Sequence, residues 1–139
     1  RLADGHKRDD QAQAALAAIP QLPSELPRVW GGDFNAVPDA DEIRAIKGLR
    51  SVDGGRVYWQ DAWERVHGNA PGITWAKANR HTERLKWLAL DRRIDYLFVE
   101  PQRRAGAGEI VDCQLCFATP DADGVYPSDH FGIYADVLI

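Results

Sequence analysis

Methionine is absent from all 139 residues of the sequence, including position 1, which is an arginine. The opening Arg1-Leu2-Ala3-Asp4 has no apolar start, so we expect further residues to precede it in the intact protein. No stretch approaches the roughly 18 consecutive apolar residues that a membrane-spanning helix needs, and no charged-then-apolar leader opens the chain. These absences exclude a spanning helix in this sequence and predict a soluble part of a protein.

Cysteine is scarce, since only Cys113 and Cys116 are present. On the strand predicted for 110–117, residues three positions apart point to opposite faces, so the two thiols can neither bridge readily nor share a metal ion. The sequence also lacks a second cysteine or histidine pair at zinc-binding spacing. We therefore expect two free thiols, and a reducing compartment such as the cytoplasm fits that expectation.

The sequence also lacks the basic excess of a chain that coats nucleic acid, because its formal net charge is -4. Its positive charge is concentrated between positions 77 and 93. The basic side chains in this stretch are Lys77, Arg80, Arg84, Lys86, Arg92 and Arg93. They form either a solvated surface or a rim that attracts phosphate.

What the sequence does contain is the pattern of one mixed α/β domain, with 45% hydrophobic residues and no internal repeat or linker. Apolar side chains at helical spacing predict a helix over 9–19 that ends at Pro20. Asp39 and Glu42 resemble a capping box that opens a second helix, whose apolar side includes Leu49. The remaining predictions are a helix at 59–66 and strands at 28–30, 73–75, 94–99, 110–117 and 133–139. Helices that separate strands predict a layered α/β fold.

A first group of candidate functional residues lies in Gly31-Gly32-Asp33-Phe34-Asn35, directly after a predicted strand. In extended geometry Asp33 and Asn35 point to the same side, with Phe34 anchored opposite. A carboxylate and an amide aimed together can orient a water molecule and stabilise a developing oxyanion. The alternative is an Asx turn that caps the following segment.

Two further candidates follow later in the chain. Asp95 interrupts an otherwise apolar strand, and a buried carboxylate without a partner is unfavourable by several kcal/mol. Its partner is either Arg92 or Arg93 in an ion pair, or an imidazole that it holds in one tautomer. The imidazole is available in Ser128-Asp129-His130, which by itself could equally be an ordinary loop.

Taken in order, Gly32-Asp33-Phe34-Asn35, Arg93-Ile94-Asp95-Tyr96 and Ser128-Asp129-His130 resemble three signatures of the endonuclease/exonuclease/phosphatase superfamily, whose fold is shared with pancreatic deoxyribonuclease. Thr74-Trp75 is similar to a strand that lines the active site of that family. The resemblance implies an α/β (α+β) fold, namely half of a four-layer sandwich of two mostly antiparallel sheets flanked by helices. It also implies that residues 1–139 are the C-terminal part of one such domain, with the N-terminal half not present in the chain.

Residue by residue, the resemblance implies a role for each member of the signatures. Asp33 would orient or deprotonate the attacking water, and Asn35 would stabilise the transition state. His130 would contact the scissile phosphate, with Asp95 fixing its orientation. Asp129 would bind a metal ion, for which hard oxygen ligands suit Mg²⁺ or Mn²⁺. The resemblance further predicts substrate contacts for Trp75, Arg93 and Ser128.

The sequence departs from the family pattern in its first half. Family members also carry an Asn, a metal-binding Glu and a His upstream of these signatures, and none of the three can be identified here. We therefore expect the chain to be inactive by itself. A lone half would also expose the apolar face of its sheet, which predicts that a missing N-terminal half or a second copy covers it.

The function predicted from these residues is hydrolysis of a phosphodiester or phosphomonoester by an activated water. The substrate is left open between a lipid head group, a small molecule and a nucleic acid. Ser128-Asp129-His130-Phe131-Gly132 looks more like the sphingomyelinase-type branch than the DNA-repair branch, whereas the basic stretch supports a DNA nuclease as the alternative. A non-catalytic binding module is a third interpretation.

Overall fold

The computed structural model describes residues 5–85, 90–103 and 105–139, without the side chains of residues 84 and 85. The helices are α1 (Gly5–Ala18), α2 (Asp41–Ile46) and α3 (Ala62–His67), with 3-10 turns at Ile19–Gln21 and Arg80–Leu85. The strands are β1 (Val29–Asp33), β2 (Gln60–Asp61), β3 (Asp95–Val99), β4 (Ile110–Cys116) and β5 (Gly132–Val137).

The described strands form two antiparallel sheets. The first has the order β1-β3-β2, so its central strand β3 comes from the second half of the chain. Along β1 and β3 the register runs from Val29 opposite Val99 to Asp33 opposite Asp95. The second sheet is the β4-β5 pair. Pairing in this register brings the two carboxylates to the same end of the first sheet.

One hydrophobic cluster fills the space between the first sheet and the helices α1 and α2. Phe34 packs edge to face against two aromatic rings of this cluster, with its ring centroid 5.5 Å from Tyr96 and 5.3 Å from Phe98. The other members are Ala12, Leu16, Ala36, Ile43, Ile46 and Trp59, with Trp30 packed against them. Burial of these side chains is the main favourable contribution to stability at this layer.

A second cluster lies between α3 and the strands β3 and β4, and contains Ala62, Trp63, Val99, Ile110 and Cys113. Several apolar side chains beside it are only half-buried, namely Val66, Leu97, Leu115, Ile133, Ala135 and Val137. Cys113 and Cys116 are free thiols, as the sequence predicted. Burial raises the pKa of the Cys113 thiol to about 11, so it is protonated and unreactive at neutral pH.

Most of the predicted elements are confirmed, but the capping box of the second helix and the strand at 73–75 are wrong. The second helix has Ala40 at its N-cap without a side-chain hydrogen bond, because Asp39 lies one position too early to cap it, and Leu49 is 55% exposed. The strand predicted for 73–75 is absent from the described elements, since Trp75 makes only an isolated bridge to Arg92. The helix predicted for 59–66 begins later, after the strand β2.

The fold class is confirmed as mixed α+β, with antiparallel sheets and packed helices. Within the described residues, no helix combines the length and the apolar character needed to cross a membrane. Lys86 and the side chain of Arg84, both counted in the basic stretch, lie outside the described residues.

Candidate active site

The site is built where three distant segments meet at one end of the first sheet. Asp33 is the last residue of β1, and Asp95 is the first residue of β3 and its direct cross-strand partner. His130 comes from the loop that leads into β5. Ligand atoms of these three side chains all lie within 4.8 Å of one another. The convergence that the sequence signatures predicted is therefore present.

Asp95 and His130 form a hydrogen-bonded pair, with 2.9 Å between the carboxylate Oδ2 and the imidazole Nδ1. In this pair the Nδ1–H of His130 donates to Asp95, which leaves Nε2 for a second partner. Partial burial lowers the pKa of His130, but the hydrogen bond to Asp95 and the negative charges of Asp95, Asp33 and Asp129 outweigh burial and raise the pKa above its ordinary value. The pair is the imidazole arrangement considered for Asp95, and Arg93 pairs elsewhere.

Asp33 and Asn35 face each other across a turn rather than along an extended strand. The Asn35 backbone N–H donates to Asp33 Oδ1 at 2.8 Å, and the Asn35 side-chain Nδ2 donates to Oδ2 at 3.0 Å. Asn35 has a φ of 50°, a left-handed conformation that asparagine tolerates better than most residues. The Asx turn given as the alternative is therefore present, and it also brings the two side chains together, both of them exposed.

A cavity of about 540 Å³ opens beside these two residues. Its walls include Lys7, Arg8, Trp30 and Glu42 in addition to Asp33 and Asn35. Arg8 Nε donates to Glu42 Oε1 at 2.6 Å, so the positive charge of this wall is partly neutralised. A small polar group of a substrate could be accommodated next to the carboxylate.

Two buried polar residues that were not among the predicted site residues hold the cluster in place. Thr74 is fully buried, and its Oγ1 accepts from the backbone N–H of Ile94 and of Asp95 at 3.1 and 3.2 Å. Its backbone oxygen accepts from Phe131 N–H at 2.6 Å. Asn79, also fully buried, donates from Nδ2 to the Ser128 carbonyl at 2.8 Å. The sequence carried one signal for Thr74, since Thr74-Trp75 resembles a strand that lines the active site of the family, and none for Asn79.

Arg93 does not have the position expected of a substrate contact. Its side chain is 3% exposed, and its NH1 donates to both oxygens of Asp61, at 2.9 and 2.7 Å. Its NH2 donates to Glu64 at 3.0 Å, and its guanidinium lies over the Tyr96 ring, 4.7 Å from the centroid. The substrate role predicted for Arg93 is corrected, because its guanidinium is buried against Asp61 and Glu64, although its Nε has no hydrogen-bond partner among the described residues.

The other predicted positions differ in how close they come to the cluster. Asp129 is not one of the three clustered donors, and its Oδ1 accepts from Ser128 Oγ at 3.2 Å. Ser128 Oγ also accepts from His130 N–H at 3.2 Å, which caps the loop around the imidazole. Trp75 is half-buried beside Arg92. Metal binding by Asp129 and substrate contact by Ser128 and Trp75 stay predictions.

The cluster fits part of a divalent-metal site. Asp33 presents an exposed carboxylate, and carboxylate oxygens are the ligands that Mg²⁺ and Mn²⁺ prefer. Octahedral Mg²⁺ takes about six ligands, usually with several waters among them. One of the three clustered side chains, His130, already uses Nδ1 on Asp95. The donor chemistry is suitable, and further oxygen ligands are needed to complete the coordination.

The fold with this cluster is that of the endonuclease/exonuclease/phosphatase proteins. In fold the chain is similar to a humanized D. rerio TDP2 with 14 mutations (24% identity, TM-score 0.70), covering 98% of this chain and 50% of that one. It is also similar to an endonuclease/exonuclease/phosphatase from Bacteroides vulgatus (20% identity, TM-score 0.69; 97% and 45% covered). A third similar structure is D. rerio TDP2 complexed with single strand DNA product (21% identity, TM-score 0.71; 99% and 52% covered).

The chain belongs to the Endonuclease/Exonuclease/phosphatase family, whose model matches residues 2–130. Members of this family are typically metal-dependent hydrolases that act on phosphoesters. The chain spans about half the length of the similar solved structures. No curated protein sequence matches it.

Proposed function

We propose that the protein hydrolyses a phosphodiester or phosphomonoester with an activated water and without a covalent intermediate. The observation that carries the proposal is the cluster of Asp33, Asp95 and His130, whose ligand atoms lie within 4.8 Å of one another. Two carboxylates and an imidazole at this distance can bind, deprotonate and orient a water and supply a proton to a phosphate oxygen.

Each side chain of the cluster has a separate task in this proposal. Asp33 orients or deprotonates the attacking water, because its carboxylate is exposed and fixed by two hydrogen bonds from Asn35. Asn35 stabilises the transition state through its side-chain amide. His130 donates from Nε2 to the phosphate, and Asp95 holds the ring and favours its protonated form. The raised pKa of His130 keeps that proton available near neutral pH.

We propose Mg²⁺ or Mn²⁺ as the cofactor, held by Asp129 together with donors outside the described residues. When bound, such an ion neutralises phosphate charge and assists the leaving oxygen. Asp129 is exposed and directly precedes His130, whose pKa its negative charge helps to raise.

For the substrate we propose a choice between a nucleic-acid strand and a lipid head group. The similarity in fold to TDP2, of which one structure holds single strand DNA product, supports the nucleic acid. Lys77 and Arg80 are exposed members of the basic stretch and could meet a phosphate backbone. The sphingomyelinase-like sequence around His130 supports the lipid head group. Competition of single-stranded DNA against sphingomyelin micelles in one hydrolysis assay decides between them.

We also propose that the chain is the C-terminal part of a single domain and is inactive alone. Half-buried apolar side chains on the second cluster, among them Leu97, Leu115, Ile133 and Ala135, suit a covering sheet from the remaining half. A second copy of the chain is the alternative cover. In addition, the clustered donors among the described residues are too few to complete a metal site.

The test is hydrolysis of bis-p-nitrophenyl phosphate by the intact protein with Mg²⁺ or Mn²⁺ and after chelation. The proposal requires turnover that chelation abolishes and metal restores. Absence of turnover with any divalent metal would favour a non-catalytic binding module instead. The chain by itself, assayed beside the intact protein, should show no metal-dependent rate.

A further inference from the structure

The loop that carries His130 lies outside regular secondary structure, so its position depends on contacts with other segments. It is attached to the stretch 74–81 at three places: His81 Nε2 to the Tyr126 carbonyl at 2.9 Å, Asn79 Nδ2 to the Ser128 carbonyl at 2.8 Å, and Phe131 N–H to the Thr74 carbonyl at 2.6 Å. His130 falls between the second and third attachments. The stretch 74–81 therefore determines where the imidazole lies.

Asn79 is the attachment made by a side chain from the interior. It is fully buried, and both ends of its amide are used: Nδ2 donates to Ser128, and Oδ1 accepts from His81 N–H at 3.1 Å. These partners fix the orientation of the amide, because a flipped group would set oxygen against the carbonyl and N–H against N–H. Thr82 Oγ1 donates to the Asn79 carbonyl at 2.8 Å and holds its backbone.

The same stretch also holds the other member of the pair. Thr74 Oγ1 accepts from Asp95 N–H at 3.2 Å, so Asp95 and the loop of His130 are both attached to residues 74–81. A hydrogen bond of 2.9 Å between Asp95 and His130 then requires that the two attachments be correct relative to each other.

We propose that Asn79, assisted by His81, is a positioning residue that holds His130 against Asp95 by fixing the Ser128 carbonyl. The role rests on the proposed phosphoesterase function, because it matters for the rate only if His130 acts on the substrate. Asn79 acts through the backbone of the loop, because its side chain donates to the Ser128 carbonyl and not to the imidazole or to Asp95.

The test variant is Asn79→Asp in the intact protein. Aspartate has nearly the same shape and keeps the acceptor for His81, but it sets an oxygen against the Ser128 carbonyl where a donor was. The matched control is Gln60→Glu. Gln60 is also a buried amide, and its Nε2 donates to the carbonyls of Glu100 and Gly108, both at 2.8 Å and both away from the cluster.

Two readouts separate positioning from loss of stability. The first is the proton NMR signal of the His130 ring N–H that is protected by Asp95, assigned by its loss in His130→Gln. The second is a steady-state measurement that shows whether the variant changes kcat, KM or both. Asn79→Asp should broaden or abolish the protected signal and lower kcat by about 10- to 100-fold with KM little changed, since a misplaced catalytic group loses rate on this scale. Gln60→Glu should retain both.

The proposal is overturned if Asn79→Asp keeps the protected signal and has a kcat within about threefold of Gln60→Glu. If Asn79→Asp does not fold, His81→Ala, at an exposed position, is tested instead. It should weaken the NMR signal of the His130 ring N–H, and an unchanged signal overturns the proposal. If the wild-type protein shows no turnover, the proposed phosphoesterase function is wrong. The positioning role of Asn79 is then still tested by the NMR comparison.

Discussion

Two acid-base pairs lie close together near the start of β3, and they differ in how far their side chains are exposed to solvent. Asp61 and Arg93 are 2% and 3% exposed, and the guanidinium is shared with Glu64. Asp95 and His130 are 16% and 27% exposed, and the imidazole keeps one nitrogen for another partner. Among the described residues the first pair is therefore closed to solvent, whereas the second is partly exposed and is the one that a ligand can reach.

The comparison shows that residues of one sequence motif can have different roles, so each residue has to be assigned separately. Arg93 and Asp95 stand two residues apart in the same signature, yet one pair contributes to folding and the other belongs to the candidate active site. The exposure of the side chains distinguishes the two pairs, and exposure cannot be read from residue type.

The largest effect is expected for Arg93→Met, which removes the cation from the buried pair of Asp61 and Arg93. Asp61 would be left as a buried carboxylate, and breaking such a pair from one side destabilises a protein by about 3–5 kcal/mol. Unfolding in urea, monitored by Trp fluorescence, measures the loss. Arg80→Met, at an exposed position, should change stability by less than about 0.5 kcal/mol.

A double variant sharpens that result. Asp61→Asn together with Arg93→Met removes both charges, so part of the lost stability should return relative to Arg93→Met alone. A double variant as unstable as the sum of the single changes would contradict the view that the pair acts as a unit.

The next largest effect is on kcat, and it concerns the pair of Asp95 and His130 and their neighbour Asp33. Asp33→Ala or His130→Ala should lower kcat in the intact protein by about 10²-fold or more, the usual scale for acid-base and oxyanion contributions. The exposed Asp39→Ala, six residues from Asp33, serves as the control and should retain the wild-type rate. A near-normal rate in either variant removes that residue from the mechanism.

A smaller effect is expected for Asp95→Asn. The amide keeps the size of the side chain but loses the charge that favours the protonated imidazole, so kcat should fall by about tenfold and the pKa of His130 should decrease. The pH dependence of kcat over the acidic to neutral range measures both. A pH profile identical to wild type would show that Asp95 does not act through the ring.

The smallest effect is on stability as a function of pH in the metal-free protein. The pKa of His130 is raised on folding, so the stability from its pair with Asp95 is complete below the unfolded pKa of about 6.5 and is lost as the pH rises through the folded pKa. Wild type should exceed Asp95→Asn by at most about 1 kcal/mol in acid, with the difference shrinking in alkali. A difference that grows with pH would contradict this sign.

The apolar strand around Asp95 predicted that this acid has a partner, either an arginine or an imidazole. The family resemblance assigned His130, and the structure contains that contact. The sequence could not assign Arg93, because Asp61 lies 32 residues earlier and nothing in the local pattern connects the two. Thr74 and Asn79 were missed for a related reason. Buried polar side chains in irregular segments have no periodicity, so their partners appear only when distant loops are folded together.

The elements themselves followed local rules where hydrophobic spacing was strong. The helix over 9–19 and the strand over 94–99 were predicted in this way, and both are present as α1 and β3. Thr74-Trp75 was expected to be a strand, but its backbone groups bond to Arg92 and Phe131 instead of to a continuous neighbour. Here tertiary contacts overrode local propensity.

The cluster is assembled across long chain separations: 35 residues between Asp95 and His130, and 49 between Asn79 and Ser128. Closing such loops is slow, and contacts of this kind form after local helices. During synthesis from the N-terminus, the two facing aspartates are complete before the histidine exists. Wherever β1 and β3 pair before residue 130 is made, the like charges of the two aspartates repel each other without the imidazole that later lies beside Asp95.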